Sequence, residues 1–222
     1  MLALCFGWSM GAEAVNENNE DGSGLIYGWV LNNHPERGLK VTGVIDKTVA
    51  SIIIPATYTM QNPTYPDEGI QSFDILQIAD QAFADCTNLT EIDLGNTLQT
   101  IGSQAFKGCT SLKSLTVPGS VTSFGYMSLS SLEEVTILEG SSSVSLVGTF
   151  RESTTLKKVT LPSNITVYNG TFYGCTSLET VIFPQNATVS FRTYAFGECT
   201  ALKSITLPQG CTSLGEGLFW GC

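Results

Sequence analysis

From residue 78 onward the chain repeats one arrangement of apolar and polar positions. Six segments read leucine, two residues, apolar, one residue, apolar: LTEIDLG, LKSLTVP, LEEVTIL, LKKVTLP, LETVIFP and LKSITLP. Apolar and polar residues alternate within each, the period of two that marks a half-buried β-strand. In KSLTVP, Leu115 and Val117 face one way and Ser114 and Thr116 the other. An anchor residue precedes each segment, at Phe83, Phe106, Leu129, Phe150, Phe172 and Phe196, and recurs at Phe219, with spacings of 23, 23, 21, 22, 24 and 23. A second apolar step follows in most units (LQTIG, VTSFG, ITVYNG, ATVSFR, CTSLG) and predicts another short strand or extended edge. The stretch around each anchor, as in QAFADC, predicts a helical turn that seats the aromatic ring in the core. Pro118, Pro162, Pro184 and Pro208 end the main strand, because proline has no amide hydrogen for the ladder.

One such strand cannot bury its apolar face alone, but copies stacked ~4.8 Å apart form a parallel sheet with a continuous core behind it. The expected fold is a β-rich leucine-rich-repeat solenoid, since the period lies within the 20 to 29 residues of such repeats. It has a parallel sheet of about six to seven strands, short helical turns, second short strands and an N-terminal β cap. Residues 78–222 form the repeats, the last one incomplete, and residues 24–77 the cap, whose ASIIIPA reads as a degenerate first repeat. The third unit is shortened by three residues between Leu129 and Leu132 and has neither cysteine nor proline, so an irregularity is expected there, by drift or as a binding bulge. Residues 1–14 read as a truncated signal peptide, apolar and then Ala12-Glu13-Ala14, and 15–23 as a polar linker. Phe219 and Trp220 in the closing LFWGC are expected on an uncapped end of a chain that continues further.

AFKGCTSLKSLTVPGSVTSFG and AFGECTALKSITLPQGCTSLG resemble the BspA-type, or Treponema-type, leucine-rich repeat over residues 78–222. IIIPAT at 52–57 and IADQAF at 78–83 echo that family's lead-in. The resemblance implies a secreted or surface-attached protein linked to adhesion or protein binding, with no catalytic residues to carry over. Extracellular or cell-surface placement is the matching expectation.

Charge narrows the partners. Residues 1–100 hold thirteen acidic and three basic side chains and residues 101–222 seven of each, so the net charge of -10 sits wholly in the first hundred. No basic patch invites nucleic acid or an anionic membrane surface. No stretch approaches the ~18 apolar residues of a membrane span.

Seven cysteines raise the question of chemistry. Cys86, Cys109, Cys175, Cys199 and Cys222 each stand three residues after an anchor. Neighbouring rungs lie at a separation that suits a disulfide, so pairs such as Cys86 with Cys109 or Cys175 with Cys199 stay open. Substitution within the chain favours buried packing thiols: Ser153 fills the cysteine position of its unit, and Cys211 fills a place held elsewhere by Leu98, Val121, Ile165 or Ala187. His34, the only histidine, lies in a turn, which leaves no Cys-His pair and no multi-histidine metal site. Cys5 lacks the small residue that a lipobox needs before it. No catalytic, cofactor or metal residue is expected. Sequons at Asn88, Asn164, Asn169 and Asn186 are about as many as chance gives.

What remains is the solvent face of the main sheet. One column is Asp93, Thr116, Thr136, Thr160, Ile182 and Thr206; its neighbour is Glu91, Ser114, Glu134, Lys158, Thr180 and Ser204. Threonine suits exposed strand positions on its own account, and solenoid faces also bind partners. The expected function is non-enzymatic binding of a protein or surface glycan through this face, by a monomer or part of a longer chain; the alternative is a passive spacer in a larger surface protein.

Overall fold

The structure, a computed structural model, describes residues 23–30, 38–61, 67, 69–127 and 129–222. The leader, most of the linker, Cys5 and His34 lie outside the described residues. The cap comprises β1 (Leu25–Trp29), β2 (Leu39–Val44), β3 (Ser51–Ile53), β4 (Thr57–Gln61) and β5 (Ile70–Ile78). The repeats then supply β6 (Glu91–Asp93), β7 (Thr100–Ile101), β8 (Ser114–Val117), β9 (Ser123–Phe124), β10 (Glu134–Ile137) and β11 (Val144–Leu146). They continue with β12 (Lys158–Thr160), β13 (Asn164–Val167), β14 (Thr180–Ile182), β15 (Thr188–Phe191) and β16 (Gly210–Ser213).

The solenoid is as expected, but its two sheets exchange importance. The second, shorter step builds the long sheet, in the order β1-β2-β5-β7-β9-β11-β13-β15-β16 with β4 on β5. The leucine step forms β8-β10-β12-β14 and a separate pair, β3-β6. The long sheet gains its length from the cap: β1 and β2 pair antiparallel, and β2 lies parallel to the second half of β5, which passes the ladder to β7. β3 pairs parallel with β6 through Ile52 and Ile92, so the ASIIIPA segment stacks as a rung of the leucine step.

Leu115, Val117, Val135, Ile137, Val159 and Val181 point inward from the short sheet and are buried. Ile101, Leu146, Ile165, Val167, Val189 and Phe191 meet them from the long one. The anchors fill the third side of the core. Phe150, Phe172, Phe196 and Phe219 stack with ring centroids 5.2–5.8 Å apart, as do Phe83 and Phe106 at 5.6 Å.

The anchor segment does not form the expected helical turn. Gln81, Gln104 and Tyr194, two residues before their anchors, have φ of 53–57°, and Asp85, Glu152 and Glu198, two residues after theirs, 57–64°. Other rungs place Gly148, Gly170 and Gly217, or Gly108, Gly174 and Gly221, at the same two positions. A left-handed residue on each side of the anchor ends any helix before it starts. The segment is instead a pair of tight turns whose alternate amides reach the next rung. Gln81, Phe83 and Asp85 donate to the carbonyls of Ser103, Ala105 and Lys107 at 3.0, 2.8 and 2.7 Å. Gly170, Phe172 and Gly174 repeat this on Thr193, Ala195 and Gly197. These bonds form a third backbone ladder.

All of these amides point toward the following rung, and the cysteines supply the return bond. Cys109, Cys175 and Cys199 donate their thiols to the carbonyls of Phe83, Phe150 and Phe172, each at 3.1 Å, and Cys222 donates to Phe196 at 3.2 Å. The six described cysteines are free thiols in the structure, none joined to another. The pattern also corrects the register of the third unit. Met127 donates to Thr149 and accepts from Ser153 Oγ, as an anchor does, while Gln104 donates to Tyr126, three residues before Leu129 as Ser103 is before Phe106, so Met127 and Leu129 share the anchor's part. The three missing residues shift the turn but leave the ladder continuous.

Burial pushes the Cys109 and Cys175 thiols up to about 12 and raises Cys199 further. A thiol above its unfolded value contributes stability that is complete below that value and lost as pH rises toward the folded one. Unfolding free energy should therefore fall from about pH 9 toward pH 12, and less steeply in a Cys109→Ala, Cys175→Ala variant, as urea denaturation at each pH will show. At neutral pH, Cys175→Ala removes both donor and sulfur and is expected to cost about 1–3 kcal/mol. Cys175→Ser should cost less, because Ser153 already does this work one rung earlier. Equal losses in the two variants would mean that the sulfur acts through volume alone.

Candidate functional site

The outward residues of the short sheet stand in the two columns expected from the alternation. Ser114, Glu134, Lys158 and Thr180 are registered across β8, β10, β12 and β14, and Thr116, Thr136, Thr160 and Ile182 beside them. Glu91 and Asp93 lie exposed on β6, across the division between the two parts of the leucine step. Ser204 and Thr206 are exposed but lie outside any strand. Ile205 and Leu207 between and beyond them are only partly buried, so the inward anchoring that registers the other rungs is weaker there.

The pairing of β3 with β6 adds two residues that the sequence reading left off the face. Ser51 is registered with Glu91 and Ile53 with Asp93. The available signal was the apolar-x-apolar-proline form of SIIIP, identical to that of the later rungs. Ile53 is 71% exposed and Ile182 40% exposed, so apolar side chains stand toward both ends of the column that the threonines occupy. Five rung spacings of ~4.8 Å separate them, about 24 Å.

The face carries little net electrostatic demand in its middle. Lys158 Nζ lies 2.6 Å from Glu134 Oε1, and beside that pair Lys157 Nζ lies 2.7 Å from Glu133 Oε2. The Lys157 hydrogen bond holds the Glu133 carboxyl below its ordinary value, and the same bond raises Lys157. Such exposed pairs contribute little stability, but they cancel one another's charge. Glu91 and Asp93 leave the N-terminal part acidic. The surface is thus a regular array of hydroxyls with isoleucines toward both ends.

Among the described residues, no cluster of three His, Cys, Asp or Glu side chains could hold a metal, and no helix is long and apolar enough to cross a membrane. The buried thiols face carbonyls, in surroundings that disfavour the thiolate a reactive cysteine needs. Asn88, Asn164, Asn169 and Asn186 are all exposed.

No curated protein matches the sequence. Solved structures do. The chain superposes with a TM-score of 0.63 and 25% identity on a leucine rich cell surface protein from Faecalibacterium prausnitzii, covering 96% of this chain and 53% of that one. A leucine-rich repeat protein from Eubacterium ventriosum gives a TM-score of 0.62 at 21% identity, over 88% of this chain and 49% of that one. The leucine rich repeat protein of T. pallidum gives 0.52 at 22% identity, over 81% of this chain and 88% of that one. The chain spans about half the length of the first two, and the second and third show the fold alone. The family model described as a BspA type leucine rich repeat region matches six copies over residues 69–168 and 128–222, starting one residue before β5 and nine residues ahead of the first repeat expected from the pattern. With the three ladders, the anchor column and this match over more than half its length, the chain belongs to the BspA-type leucine-rich repeat family.

Proposed function

We infer that this is a non-enzymatic extracellular binding protein that holds a protein partner on the outer face of its short sheet. The observation that carries the reading is the Thr116-Thr136-Thr160 column with exposed isoleucines toward both ends. An exposed strand gains nothing from Ile53 or Ile182 that threonine would not supply, and each isoleucine offers a partner apolar area to bury toward an end of the threonine column. The intervening hydroxyls donate and accept without bringing charges that a partner would have to desolvate. A flat parallel face of this kind suits a partner's extended surface more than a small solute. Similarity to a cell-surface protein supports placement outside the cell.

The test is retention of fluorescently labelled protein on intact cell surfaces. Thr160→Asp with Ile182→Asp is expected to lower retention at least tenfold while leaving the circular dichroism melt unchanged, because both side chains point away from the core. Unchanged retention by this variant, or no saturable retention of the parent protein, would overturn the sheet-face reading and leave the spacer.

A further inference from the structure

A different surface, the outer turns of the C-terminal rungs, gathers planar side chains. Arg151, Tyr173 and Trp220 each follow an anchor by one residue, so stacking places them in one column, and Tyr194 joins from two residues before Phe196. They border a groove of about 380 Å³, with Asn169 and Thr193 on its polar side. The Arg151 guanidinium sits 4.6 Å from the centroid of the Tyr173 ring, and Tyr194 meets Trp220 edge to face at 6.0 Å.

The groove shows signs of being shaped. Three of the four planar groups, Arg151, Tyr173 and Tyr194, lie against a glycine of the following rung. A β-carbon on Gly170 would stand 3.1 Å from Arg151 Nη1, and one on Gly197 would stand 2.9 Å from Tyr173 Cδ2. One on Gly217 would run into the Tyr194 ring. Tyr194 is itself held at a φ of 53°, at a position where the other rungs use glutamine or glycine. A bulky residue in the left-handed region is strained, and such strain collects where the placement of a side chain matters. Earlier rungs carry Ala84 and Lys107, and Gln81 and Gln104, in the same two columns, so the aromatic surface is confined to the later ones.

The chemistry favours one kind of ligand. Arg151 is the only ionic group on the groove and is itself 3.3 Å from Glu152, so no surplus positive charge awaits a phosphate. Tyr194, 38% exposed on an inner rung, offers aromatic surface beside amide, hydroxyl and guanidinium groups. A pyranose ring combines an apolar C–H face, which is released from water by lying on an aromatic ring, with equatorial hydroxyls that need polar partners at its edge. The volume falls within the range of small-molecule sites, about 300–1,000 Å³. We propose that this groove binds a saccharide, one sugar ring packing on the Tyr194 and Trp220 rings with its hydroxyls bonded to Arg151, Asn169 and Thr193. This site is separate from the sheet face and does not depend on it.

The experiment is to apply the protein to an array of immobilised microbial, plant and animal glycans, then titrate the strongest binder by calorimetry. Tyr194→Gly relieves the left-handed strain, so it should fold at least as well as the parent, and Trp220→Ala removes a ring that borders the groove. Each is expected to weaken binding at least tenfold, while Ile182→Asp leaves it unchanged. No array signal above background, full affinity in both groove variants, or loss in Ile182→Asp would overturn the proposal.

Discussion

A rung of this solenoid can satisfy its backbone only through its neighbours, and the rest of the structure follows from that requirement. Every residue but proline carries a backbone donor and an acceptor that cannot be buried unpaired. The two strand steps meet the need by parallel pairing, and the anchor segment meets it through alternate amides such as those of Phe172 and Gly174. Three ladders at one rung spacing leave the period little freedom. Variation must go into the corners, as in the third unit, where Met127 keeps the anchor's bonds although three residues are missing. Stability is then a sum over neighbouring pairs of rungs, and the cap, with β5 shared between β4, β2 and β7, supplies the first surface on which the others stack.

The one-way direction of the turn ladder explains a residue that could be mistaken for a reactive site. The anchor's carbonyl faces the next rung, where a small buried donor is needed that does not disturb the phenylalanine column. A thiol meets both conditions, being apolar in size and weakly donating in chemistry. Ser153 shows that the donor is the shared property, since it reaches back to Met127 as Cys175 does to Phe150. Packing alone, the reading that the sequence favoured, accounts for the burial of these side chains but not for their direction.

The alternation in segments such as KSLTVP was legible, and with it the solenoid, the inward residues and the outward columns, because a period of two leaves no other assignment. The relative length of the two sheets was not. β7 and β9 span two residues each, too short for a pattern, and their continuity with β2 and β5 exists only in three dimensions. The left-handed turns were hidden because Gln104, Glu152 and Tyr194 are not residues that signal them; only the glycines at the same offsets in other rungs did. Ile53 was visible in SIIIP but was assigned to the cap and so omitted from the face. The groove residues are scattered from 151 to 220, and no local motif joins them. Reading the column one residue past each anchor, Ala84, Lys107, Arg151, Tyr173, Gly197 and Trp220, would have brought three of them together.

The two surfaces differ in how far the fold already explains them. Threonine at positions 116, 136 and 160 is what an exposed parallel strand favours for its own pairing, so the column's regularity speaks to structure before function. Ile53 and Ile182 suit a strand as well as threonine does but leave apolar surface in water, and the functional weight of the sheet rests on them. At the turns the residues depart from what the fold prefers. Tyr194 occupies a backbone position that tyrosine disfavours, and the glycines beneath Arg151, Tyr173 and Tyr194 forgo side-chain contacts that a repeat of constant shape could otherwise use. A repeat fold is built by doing the same thing at every rung. Residues that give up some of that uniformity at a cost to the fold are therefore where selection for something other than stacking is most visible, and here they cluster on the C-terminal turns.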